Sequence, residues 1–157
     1  MYSTDVIANT LLDIADKRGM QITPMKLQKL VYFAHGWYAA HINKPLLNEQ
    51  VEVWAYGPVI PSLYHRFKQY GMSPIPQGEI GETIGEPDEP NIRGLLTKIL
   101  DVYGKYSAVQ LSMMTHEEGA PWEQVQREYN NNVPRGTDIP FDTIRNYFAQ
   151  KMVSQPT

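Results

Sequence analysis

Residues 24 to 42, PMKLQKLVYFAHGWYAAHI, make a helix-length stretch that is apolar over more than half of its girth. Leu27, Leu30, Val31, Ala34, Tyr38 and Ile42 recur at three- and four-residue intervals, and Phe33 and Trp37 widen the stripe. A helix with so broad an apolar face has to be enclosed by other elements, because otherwise large side chains would stand in water. Thr23 suits the N-cap, and Pro24 falls at the first helical position, where its missing N–H costs nothing. Only Lys29, Tyr32 and Gly36 lie on the far side, which predicts one narrow polar strip toward solvent. The rest of the chain is expected to assemble around this rod.

Residues 4 to 18 place Ile7, Leu11, Ile14 and Ala15 at helical spacing, with Ser3 or Thr4 as N-cap and Gly19 as a stop. Alternation follows at 51 to 56, where Val51, Val53 and Ala55 should pack while Glu52, Trp54 and Tyr56 point the other way. Gly57-Pro58 is expected to break that strand, and Pro61 to open a helix that carries Leu63, Tyr64 and Phe67 until Gly71. Residues 72 to 90, rich in Pro, Gly and Glu, offer little to bury and predict a mobile loop or a small exposed hairpin. From Asn91 onward Ile92, Leu95, Leu96, Ile99, Tyr103 and Tyr106 keep helical steps.

A capping box at Ser107 and Gln110 opens a helix ending by Gly119, and Pro121 starts a short one around Trp122 and Val125. NNNVPRGTDIP reads as a loop, and Phe141, Ile144, Phe148 and Met152 mark a last amphipathic helix. At 157 residues and 42% hydrophobic content the chain is sized for one core, burying roughly two-thirds of its unfolded surface. The fold expected is mainly α. It is a single compact helical domain over 1–153, with about six or seven helices, a small β element near 51–56, a mobile loop at 72–90 and a frayed tail at 154–157.

The absence of cysteine excludes disulfides and thiolate metal sites. No apolar run approaches the roughly 20 residues that cross a bilayer, and the N-terminus lacks a secretory pattern, so a soluble cytoplasmic chain is expected. A net charge of −3 opposes wholesale phosphate binding. His35 and His41 are six residues apart, about 240° around a helix, and cannot share a metal from one face. GEIGETIG carries acidic residues where a phosphate loop needs donors. No cofactor is expected.

Two alternatives carry named residues. Residues 4–42 have the spacing of a helix-turn-helix, with Lys26, Gln28 and Lys29 where a recognition helix meets base edges. A hydrolase reading would use His116, i,i+4 from Ser112, yet that pair supplies neither an oxyanion hole nor a third member. A surface histidine bonded to a carbonyl is the plainer account of His116, and the reading adopted is not an enzyme.

The segments MKLQKLVYFAHGWY, PLLNEQVEVWAYGPVIPSLYHRFKQYG, LSMMTHEEGAPWEQV and IPFDTIRNYF, in this order, resemble the Panacea antitoxin domain family. The most specific element is WAYGP followed by Tyr64, paired with the later THEEGAPW. The resemblance implies a mostly helical cytoplasmic protein, bacterial or phage-associated, that neutralises a co-encoded protein toxin by direct binding. Because the family includes a proteolytic adapter, delivery of the toxin to an ATP-dependent protease is a variant of the same reading. No catalytic residues come with it. The partner-binding residues expected are Trp54, Tyr56, Gly57, Pro58, Tyr64 and Trp122, with Lys26, Lys29 and His116 beside them.

Overall fold

The structure, a computed structural model, describes residues 1–154. Helix α1 (Thr4–Lys17) starts on the Ser3 hydroxyl, which accepts from the Val6 amide, and α2 (Pro24–Ile42) starts on Thr23 and Pro24 as expected. Strands β1 (Val51–Trp54) and β2 (Gly57–Val59) form a hairpin that leads into α3 (Pro61–Phe67). Helices α4 (Ile92–Tyr103), α5 (Ala108–Thr115) and α6 (Pro121–Glu128) follow, then β3 (Asp138–Ile139) and α7 (Phe141–Ser154). The described residues therefore form a mainly α fold of seven α-helices with one small antiparallel sheet, in the order β2-β1-β3. The tail residues 155–157 lie outside the described residues.

Helix α2 is the axis of the molecule, touching α1, α3, α4, α5, α7 and β2, with α7 against its longest face. Leu27, Leu30, Val31 and Ala34 are wholly buried. Each large one contributes roughly 1.5–3 kcal/mol relative to exposure. Gly36 lets α7 approach, since a Cβ there would stand 2.2 Å from the Phe148 ring.

The polar strip predicted on α2 does not face water. Lys29 and Tyr32 are each only 2% exposed, and Gly36 is covered by Phe148. For Tyr32 and Gly36 the reason is α7, and for Lys29 it is the hairpin. Strand β2 lies at the sheet's edge, and the backbone beside it is completed by α2 side chains in place of a further strand. Gln28 donates to the Ile60 carbonyl at 3.0 Å and accepts from the Ile60 amide at 2.9 Å, while the Lys29 ammonium donates to the Pro58 carbonyl at 3.1 Å. At its far end the predicted stripe emerges, leaving Ile42 exposed.

Other expectations are corrected in the same way. Gly57-Pro58 does not end the β structure but begins β2, because the chain turns at Ala55-Tyr56 and pairs back, Trp54 opposite Gly57. Ala55, expected to pack with Val51 and Val53, is exposed at that turn. The NNNVPRGTDIP segment is irregular except for β3, where Ile139 pairs with Val51 and supplies a buried side chain. Helix α4 ends at Tyr103, so Tyr106 packs from the connection instead of the helix. Residues 72 to 90 form no hairpin. They run as a strap over α1, and Ile75, Ile80 and Ile84 pack against the core that the composition had not led one to expect there. Asn9 donates to the Glu82 carbonyl, the Ile84 amide to Thr10, and Arg66 and Arg93 to the carbonyls of Glu79 and Ile84.

Candidate partner-binding site

The two segments singled out in the sequence, WAYGP and THEEGAPW, meet in space. The hairpin turn lies on α5 and the start of α6. Trp122 donates its indole N–H to the Trp54 carbonyl at 2.8 Å, and the Ser112 hydroxyl donates to the Tyr56 carbonyl at 2.9 Å. Both bonds hold backbone of the turn in place on the helices. Gly57 adopts φ +123°, a conformation that favours glycine, and a Cβ there would stand 3.0 Å from the Lys29 ammonium and 3.1 Å from the Thr115 hydroxyl. Glycine at this position thus permits both the turn and its close seat on α2 and α5.

The aromatic residues divide by role. Trp54 is half-buried, its ring edge-on to Tyr64 at 4.8 Å and its N–H donated to Glu52 at 3.0 Å. Trp122 is also half-buried, 4.0 Å from the His116 ring. Gly57 and Pro58 are buried, so their part is to shape the turn. Tyr56 stands at the tip, 75% exposed, and Tyr64 is 41% exposed.

Lys26 is partly buried and donates to the Gly104 carbonyl at 2.6 Å, with burial lowering its pKa. The Lys29 ammonium, under the hairpin, has its pKa lowered by burial to about 8. Both lysines expected at the surface of α2 are therefore tied to backbone carbonyls. This removes the base-reading face on which the helix-turn-helix alternative rested, since Gln28 and Lys29 are inside and Lys26 is engaged. The Ser–His pair of the hydrolase alternative is not formed either. The Nδ1 of His116 lies 2.6 Å from the Ser112 carbonyl, while the Ser112 hydroxyl turns away to Tyr56. His35 is buried and accepts at Nδ1 from the Leu47 amide, and His41 is exposed at the other end of α2.

Sequence reasoning missed three residues that complete the surface around Tyr56. Met25, Val109 and Met113 line one open depression of about 500 Å³ with Tyr56, Ser112 and His116. Met113 is 67% exposed and Val109 64%. A signal for them was present in AVQLSMMT. Leu111 and Thr115 take the buried face of α5, whereas Val109 and Met113, also i,i+4, fall about 200° away from it at 100° per residue. Apolar pairs on both sides of a short helix mean that one of them stays outside.

The described residues thus form a helical domain without a membrane-length apolar helix, and it displays Tyr56 on a braced hairpin beside Met25 of α2 and Val109 and Met113 of α5. The chain belongs to the SocA-like antitoxin family with the Panacea domain, whose family model matches residues 27–123 and so spans both segments that build the hairpin seat. Antitoxin SocA of Caulobacter vibrioides (strain NA1000 / CB15N) is 32% identical over 156 residues, an alignment covering 94% of this chain and 83% of the relative. No solved structure matches the chain.

Proposed function

We propose that this protein is an antitoxin that neutralises a co-encoded protein toxin by covering part of its surface, and that the face around Tyr56 makes the contact. The observation that carries the reading is an exposed apolar cluster in which Tyr56, on a hairpin braced from three sides, stands beside Met25 of α2 and Val109 and Met113 of α5. Bracing matters because a contact residue held in place before binding loses little further freedom on association. Trp54, Tyr64, Trp122 and His116 form the support and rim of this face, and Lys26 lies beside it. Lys29, Gly57 and Pro58 act from beneath. The family membership and the SocA relative supply the class of partner. This reading places the protein in the cytoplasm with its toxin.

The test begins with the open reading frame adjacent to the gene, whose expression should arrest growth unless this chain is co-expressed. Replacing Tyr56 with Ala and Met113 with Asp together should weaken binding of the purified toxin at least tenfold, with the circular dichroism spectrum unchanged. Unaltered affinity in the folded double variant would show that the contact lies elsewhere. Toxin half-life in the same cells separates covering from delivery to an ATP-dependent protease: covering leaves the toxin long-lived, whereas delivery shortens its life.

A further inference from the structure

A second apolar groove lies between α2, α4 and α7 and shares no lining residue with the Tyr56 depression. Its volume is about 460 Å³, within the roughly 300–1,000 Å³ of ordinary ligand clefts. Trp37, Leu95, Val102, Tyr103 and Met152 form most of its walls. The floor is set in advance. Trp37 donates its indole N–H to the Tyr103 hydroxyl at 2.8 Å, and the Tyr103 ring stacks on Phe33 at 4.2 Å with 7° between the planes. Val102 is 46% exposed and Met152 39%, so side chains of a docking segment have apolar surface to cover.

Among the described residues a single formal charge, that of Lys98, lines this groove. Lys98 and His41 line it, both exposed, and no carboxylate does. Lys98 has no carboxylate within ion-pair distance among the described residues, whereas Asp101, one turn further along α4, pairs with Arg18 at 2.8 Å. A smaller depression of about 210 Å³ continues from the groove through Trp37, Val102 and Tyr103 and is lined by Lys151 and Glu117. An ammonium with no ion-pair partner among the described residues, beside an apolar groove, favours an acidic counterpart.

We propose that this groove docks a short amphipathic segment of another protein, in which one or two bulky aliphatic or aromatic side chains are flanked by Asp or Glu. The apolar side chains fill the cleft over Tyr103 and the carboxylates meet Lys98. The site is independent of the toxin face.

Selection of phage-displayed random dodecapeptides on the immobilised protein tests this directly. The expected enrichment is Leu or Phe next to Asp or Glu. The strongest peptide, made synthetically and followed by fluorescence anisotropy, should lose at least tenfold in affinity on Val102→Arg and on Lys98→Glu, and should bind Tyr56→Ala like the parent. Both altered positions are exposed, and Lys98→Glu keeps the test decisive if Val102→Arg is poorly folded. No enrichment, enrichment of basic peptides, or binding that ignores Lys98→Glu would overturn the proposal.

Discussion

His35 shows what a polar residue undergoes when it is enclosed by a core. Burial pushes its pKa down to about 4, and its ring accepts the Leu47 amide, which ties the segment after α2 to the helix. The unfolded chain takes up that proton near about 6.5. Between those values the unfolded state binds more protons, so stability falls as pH drops through the window. Urea unfolding should show a loss on the order of 3 kcal/mol from this group between pH 6.5 and 4. His35→Gln, which keeps an acceptor without the titration, should flatten the slope. Lys29 acts in the same sense in a higher window, because its folded pKa of about 8 lies below the ordinary value of 10.5. Stability should therefore rise with pH between about 8 and 10.5, and Lys29→Met should reduce that rise in the same measurement.

Elements in this molecule are joined at a few tight places. At Gly36 the Phe148 ring of α7 lies directly on α2, and Gly36→Ala would drive a methyl group into that wholly packed ring. The expected cost is about 1–3 kcal/mol, read as a lowered thermal midpoint. At α5 the Ser107 hydroxyl accepts from the Gln110 amide while the Gln110 side chain accepts from the Ser107 amide. Ser107→Ala should cost about 1 kcal/mol and speed amide exchange in the first turn of α5. The box was legible in the sequence because both halves lie within four residues. The closeness of Gly36 to Phe148 was not, because it depends on where a helix more than a hundred residues later comes to rest.

Across the whole molecule, the surface proposed for partner binding is held by residues far apart in the chain. The Trp122 indole reaches the Trp54 carbonyl across 68 residues, and Ser112 reaches Tyr56 across 56. Trp122→Phe keeps an aromatic ring but removes the donor. It should weaken toxin binding roughly fivefold, about 1 kcal/mol, although the proposed contact side chains are untouched. An isothermal titration with an unchanged constant would mean that the turn is held without this bond. Periodicity, caps and proline positions determined a count of six or seven helices, the residue at which each begins and the central place of α2, since these follow from contacts within a few residues. They also marked WAYGP and THEEGAPW as unusual. Only the tertiary structure decided that Lys29 is enclosed, that Gly57-Pro58 begins a strand, that residues 72 to 90 cross α1 with Ile75, Ile80 and Ile84 turned to the core, and that Met25, Val109 and Met113 share a surface with Tyr56. Those outcomes depend on which distant backbone carbonyl or side chain arrives opposite, and local spacing carries no record of that.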